Sequence, residues 1–201
     1  MNLNALELDA LTEIFNQGVG VAANALSELA GEEVMLSVPS VTEVPKREIT
    51  QRMDKLGIGR ICAVRQGFTG AVTTDALVMF PVEQSLQLVQ LMVGDAVPLE
   101  QLSEMEQESL AEIGNIVLNS VVSSIADLLK IEFEGSLPQV ELGHTNDVLC
   151  PTGDFDSLVL SVQINFDIAS RSIQGYLVFL LDVESGEQLA KRLNTFIAEA
   201  G

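Results

Sequence analysis

Cysteine, histidine and basic residues are all scarce in this 201-residue chain, and each scarcity removes a class of function. Its two cysteines, Cys62 and Cys150, stand far apart and form no C-x-x-C pair, which predicts two reduced thiols. A single histidine, His144, cannot assemble the usual zinc ligand sets, and Ser-His-Asp chemistry would have to pass through that one residue. His144 follows a strand-like segment, has no G-x-S-x-G signature near it, and reads as an ordinary loop residue. Ten Lys and Arg stand against 29 Asp and Glu, for a net charge of −19, and no basic cluster is larger than the pair Lys46-Arg47. Phosphate backbones and anionic lipid are repelled by such a chain, so nucleic acid is not an expected partner; the acidity suits protein surfaces presenting lysines, although acidity of this kind more often serves solubility alone. No run of about 18 uncharged apolar residues appears, and the opening MNLNALELDA lacks the basic and apolar regions of a signal peptide. These absences predict a cytoplasmic protein without membrane insertion.

What is present is a repeat. Residues 9–39 recur at an offset of 99: Glu13, Asn16 and Pro39 return as Glu112, Asn115 and Pro138. Core positions follow the same rule, with Leu11, Ile14 and Leu29 returning as Leu110, Ile113 and Leu128, and Phe80 returning as Phe179. The chain therefore reads as one domain built from repeat unit 1–98 and repeat unit 99–201. Its hydrophobic content of 47% is ample for a buried core.

Each unit reads helix, strand, strand, strand, helix. Residues 5–30 carry Leu8, Leu11, Ile14, Phe15, Ala22, Ala25, Leu26 and Leu29 at helical spacing, with Gly31 placed to end the helix. A β-rich VMLSVPSVTEV follows, then strands over 57–66 and 69–80 with a turn at Gly67–Gly70, and a helix over 82–94. The second unit repeats this as helix 101–130, strand 131–141, a loop over 143–156, strands near 157–166 and 172–181, and helix 183–199. The fold class expected is α+β: two pseudo-symmetric α-β-β-β-α units sharing a six-stranded, largely antiparallel sheet flanked by helices.

On the first long helix Asp9, Glu13 and Asn16 lie at i, i+4 and i+7, within about 60° of one another. Glu108, Glu112 and Asn115 reproduce this polar stripe on the second, and Asn119 extends it by one turn. An isolated E-x-x-N is usually no more than a solvated helix face. Divergence of repeats scrambles exposed positions, however, so a carboxylate and a carboxamide kept in both copies indicate a duplicated binding surface.

LDALTEIFN with Pro39 and ESLAEIGN with Pro138 resemble the signature of the CheC family of response-regulator phosphatases: Asp or Ser, three residues, Glu, two residues, Asn, then twenty-two residues and Pro. The spacing is met in both units, and the resemblance covers essentially the full chain. It implies hydrolysis of the phospho-aspartate of a CheY-like chemotaxis response regulator. Glu13 and Glu112 would dock on a lysine of the regulator, and Asn16 and Asn115 would position the attacking water. The resemblance implies no cofactor of the chain's own, the Mg2+ being carried by the regulator. Pro39 and Pro138 would be structural, each placed where the first strand must end or bend, and a further reading is an adaptor whose main role is binding the deamidase CheD, a partner type in this family. Two departures from the pattern, Glu108 in place of Asp or Ser and Phe15 where the second copy has Gly114, predict sites of unequal activity. The internal pseudo-symmetry predicts a monomer. A second reading, a non-enzymatic interaction module, follows from a similarity to the middle domain of flagellar-switch proteins, in which the paired Glu and Asn would not be expected.

Overall fold

The computed structural model describes residues 3–93, 104–168 and 171–200. Helix α1 (Ala5–Ala30) opens on a capping box in which Asn4 and Glu7 bond each other's backbone N–H, and it stops at Gly31, whose φ of 69° suits a residue without a Cβ. Strand β1 (Val34–Pro45) follows, then α2 (Lys46–Lys55), β2 (Ile61–Gly70), β3 (Thr74–Pro81) and α3 (Val82–Val93). The second half runs α4 (Glu104–Leu129), β4 (Phe133–Gly135), β5 (Gln139–Gly143), α5 (Thr145–Leu149), β6 (Leu158–Ile168), β7 (Arg171–Leu181) and α6 (Val183–Ala200). Residue 94 of the expected helix 82–94, residues 101–103 of the expected helix 101–130, and the junction at 98 and 99 lie outside the described residues.

The expected antiparallel α+β sheet forms, in the order β1-β6-β7-β3-β2-β4, with β5 also pairing β2. It has seven strands among the described residues because the strand expected over 131–141 is interrupted at Ser136–Pro138 into β4 and β5. Val78 of β3 faces Leu177 of β7, and 99 residues separate them, so the repeat offset coincides with the centre of the sheet. On either side the halves exchange strands: β1 pairs with β6, and β2 pairs with β4 and β5.

The glycines expected to turn between β2 and β3 lie inside β2 instead, and the turn falls at 71–73. Gly70 is needed where it is because a Cβ there would collide with the Glu132 carbonyl oxygen as the chain enters β4.

Helices cover both faces of the sheet. The larger core joins Leu11, Phe15, Val64, Phe80, Val117 and Phe166 between the sheet and the long helices. A smaller one gathers Ile49, Met53, Ile61, Met79 and Leu149 beneath α2 and α5 on the other face. Neither short helix was expected. Apart from Thr50, α2 buries only Ile49 and Met53 at i and i+4 plus the stem of Lys46, too sparse a pattern to read, and α5 has five residues. Tertiary bonds hold α2: Lys46 and Arg47 N–H donate to the Ser157 and Phe155 carbonyls, and Lys46 Nζ meets Asp154 at 2.5 Å.

Among the described residues one helical stretch, Glu106–Leu129, has the length and hydropathy of a membrane span. Its Leu110, Ile113, Val117, Leu118 and Val121 are buried in the larger core, which accounts for its apolar character.

Candidate functional site

The two long helices carry the stripes as expected. Leu11, Ile14 and Phe15 are fully buried, and Phe15 stacks on Phe179 with ring centroids 5.4 Å apart, which turns the opposite face of α1 outward. Asp9 and Glu13 are exposed on that face and Asn16 is half-buried. In α4, Leu110 and Ile113 are buried, Glu108 and Glu112 are exposed, and Asn115 is half-buried. No ion pair engages Glu13 or Glu112 among the described residues, so both carboxylates are open to a cation from a partner.

Asn16 is held between an obligate donor and an obligate acceptor. Its Oδ1 accepts from the Val38 N–H at 3.1 Å and its Nδ2 donates to the Thr12 carbonyl at 2.9 Å. Because a backbone N–H can only donate and a carbonyl can only accept, the amide has one orientation. This contact explains the twenty-two-residue spacing to proline. Register along β1 and β6 shifts between Ser37 and Ser40, so β1 is bulged at Val38-Pro39, and the Val38 N–H turns from the ladder to Asn16. The buried positions change phase across the bulge, from Val34 and Val38 to Val41, all three in the larger core. Pro39, which has no N–H to offer the ladder, sits within this register shift.

The second copy is built differently. Pro138 lies in the break between β4 and β5, and Leu137, at the offset of Val38, is 85% exposed where Val38 is buried. Here Asn115 Oδ1 accepts from Asn119 Nδ2 at 2.7 Å, and Asn119 Nδ2 also lies 2.8 Å from the Asn115 carbonyl oxygen. Gln66, from β2, presents Oε1 to Asn119 at 3.3 Å and donates Nε2 to the Ser136 carbonyl at 2.8 Å. Asn115 Nδ2 has no partner among the described residues, so its amino group is open. Gly114 seats α4 directly on β2: a Cβ there would lie 2.5 Å from the Val64 side chain.

The two stripes form separate sites. Asn16 reaches the edge strand β1, while Asn119 reaches β2 towards the opposite edge, and between them α1 and α4 cross where a Cβ on Gly18 would touch the Val121 backbone. A groove of mixed polar and apolar lining lies towards the C-terminal part of each long helix. In the first half Asn24, Ser27, Glu28 and Glu33 line about 750 Å³, and in the second Asn119, Ser123, Asp127 and Glu132 line about 630 Å³. The Val38 N–H and Gln66 were not found from sequence, since a backbone donor has no signature and Gln66 is remote in sequence from α4.

Cys62 and Cys150 are free and buried, and burial pushes the Cys62 thiol up to about 12. His144 sits just before α5 with Nδ1 2.6 Å from the Gly59 carbonyl oxygen. No cluster of three or more His, Cys, Asp or Glu suited to a metal occurs among the described residues.

With this geometry in place, similarity to known proteins is informative. Residues 6–43, which span the first stripe and Pro39, match the CheC-like family. The CheY-P phosphatase CheC of Bacillus subtilis strain 168 is 24% identical over 193 residues, 91% of each chain. The flagellar motor switch phosphatase FliY of the same strain is 29% identical over 147 residues; these make up 70% of this chain and 37% of that protein. Among solved structures, Thermotoga maritima FliY superposes with a TM-score of 0.80 at 23% identity over the full length of both chains. The FliM middle domain of H. pylori gives 0.74 at 12% identity, covering 94% of this chain and 99% of that one. At such identities the structural likenesses establish the fold alone.

Proposed function

We propose, from the match of residues 6–43 to the CheC-like family and the likeness to the CheY-P phosphatase CheC, that the chain is a member of that family and hydrolyses the phospho-aspartate of a CheY-like response regulator, completing the site in trans. The observation that carries this reading is the Asn115 amide: its oxygen is fixed, its amino group is open, and it stands one turn from the exposed Glu112. An acyl phosphate is already activated, so an in-line water needs orientation more than a strong base. The second lone pair of Asn115 Oδ1 accepts from that water and its N–H groups donate to water or phosphoryl oxygen, whereas a carboxylate in its place would repel the phosphate. Glu112 and Glu13 meet a lysine of the regulator, which also brings the Mg2+. This chain contributes a docking anion and a positioning amide, without a nucleophile of its own.

The same geometry supports sites of unequal activity. Asn16 spends its oxygen on the Val38 N–H and one of its N–H groups on Thr12, so its first duty is to the bulge. Asn115 carries no backbone of another strand and has both N–H groups available, so site two does most of the work. The test is decay of phosphorylated regulator with Asn16→Ala, Asn115→Ala and the double variant. Asn115→Ala is expected to remove most of the acceleration and the double variant all of it. Equal decay with wild type, double variant and no added protein would leave only the non-enzymatic interaction module. Binding of CheD and a monomeric state in the cytoplasm complete the reading, tested by co-purification and by light scattering.

A further inference from the structure

We infer that Asn119 is a positioning residue that orients the Asn115 amide, anchored in turn by Gln66; this rests on Asn115 being the water-positioning group. The two copies meet the same requirement by different means. Each asparagine has its side-chain oxygen held by a donor: the Val38 N–H in copy one, the Asn119 amide in copy two. Backbone from the first strand does not supply the donor in copy two, because that strand is interrupted at Ser136–Pro138. At the offset of Asn119 the first copy has Gly20, exposed and with open space around it, so Asn119 stands only where the backbone latch is missing.

The arrangement has one self-consistent set of orientations. The Asn115 main-chain oxygen is an obligate acceptor, so Asn119 turns its Nδ2 towards it, and the neighbouring side-chain atom of Asn115 must be Oδ1. At the other end the Ser136 carbonyl obliges Gln66 to point Nε2 at it, which leaves Oε1 for Asn119. Gln66 is 4% exposed, so this anchor is shielded from water. The consequence is that the Asn115 rotamer is chosen before the regulator arrives, and its amino group faces outward at no further cost in side-chain entropy.

Kinetics of phospho-regulator decay with Asn115→Ala, Asn119→Ala, Gln66→Leu and the Asn115→Ala/Asn119→Ala double variant test this. Asn119→Ala is expected to lower turnover at saturation on the order of tenfold, with the half-saturating concentration nearly unchanged because Glu112 still docks. Gln66→Leu should lower it less. In the Asn115→Ala background Asn119→Ala should add nothing. A ¹⁵N spectrum, in which Asn115 is identified by the signal lost in Asn115→Ala, should show its side-chain NH2 pair shifted in Asn119→Ala. If Asn119→Ala matched wild type while Asn115→Ala was impaired, the inference would fall and the proposed function would stand. An equal loss in both backgrounds would make Asn119 merely structural and overturn it as well. If Asn115→Ala itself left turnover unchanged, the inference would fall together with the assignment of most of the work to site two, and the phosphatase reading would rest on Asn16.

Discussion

Removing the Asn16 side chain separates the two duties assigned to the asparagines. Val38 is 5% exposed, and its N–H is paired with Asn16 Oδ1 at the point where β1 leaves register with β6. Asn16→Ala therefore orphans a buried backbone donor, at a cost of about 1–3 kcal/mol. The lost Nδ2 bond to Thr12 adds little, since that carbonyl is already inside a helix. For a chain of this size about 2 kcal/mol corresponds to a fall in Tm of about 4–8 °C. Asn16→Asp keeps an acceptor for Val38 and should cost less, although it gives up the donor to Thr12. Asn115→Ala orphans nothing: Asn119 Nδ2 keeps the Asn115 main-chain oxygen and Gln66, so the expected loss is below about 1 kcal/mol. Urea and thermal unfolding of the three variants, beside their decay assays, give the comparison. Asn16→Ala should lead in lost stability and Asn115→Ala in lost activity. A Cm for Asn16→Asp as low as for Asn16→Ala, or an Asn115→Ala less stable than Asn16→Ala, would refute the assignment of Asn16 to the bulge.

Gly114→Ala gains about 1 kcal/mol of helix propensity but forces a methyl to 2.5 Å from the buried Val64, and overpacking of about 1–3 kcal/mol outweighs the gain. Adding Val64→Ala should recover part of that loss, so a double-mutant cycle in urea that proved additive would count against the close approach of α4 to β2. Glu112→Gln should raise the regulator concentration needed for half-maximal decay and flatten its salt dependence, with turnover at saturation nearly kept; unchanged salt dependence would remove Glu112 from docking. Burial raises the Cys62 thiol from 9.0 to about 12, so the native protein holds this proton where the unfolded chain has released it. Its contribution to stability is present below about pH 9 and is lost as pH rises from 9 towards 12, and at pH 8 Cys62 should react with a thiol reagent only after denaturant is added. Fast native labelling at Cys62 would contradict its burial.

The stripes, the long helices and the repeat were legible because they rest on local periodicity and on residue identity, both of which survive in a linear string. Gly31 ended α1 as its left-handed conformation requires. Elements held by tertiary partners were not legible: the first N–H groups of α2 donate to the Ser157 and Phe155 carbonyls, more than a hundred residues away. Gly67 and Gly70 misled for a related reason. Glycine marks a turn or a close approach equally well, and at Gly70 the approach of Glu132 decided.

The motif itself shows how spacing and geometry can part company. In the first copy the twenty-two residues to Pro39 have a physical meaning, since they bring the Val38 N–H to Asn16. The second copy keeps the same twenty-two residues to Pro138, yet its strand is broken, Leu137 has turned to solvent, and Asn115 takes its hydrogen bond from within its own helix. The spacing alone would rate the two sites alike. What both copies preserve is an asparagine on an exposed stripe with its oxygen held, one turn from a free glutamate. A backbone donor does this at the expense of tying the amide to the sheet, and a side-chain donor does it while leaving the amino group open. The break in the second strand is therefore no loss to the site: it frees Asn115 from the structural duty that Asn16 still performs.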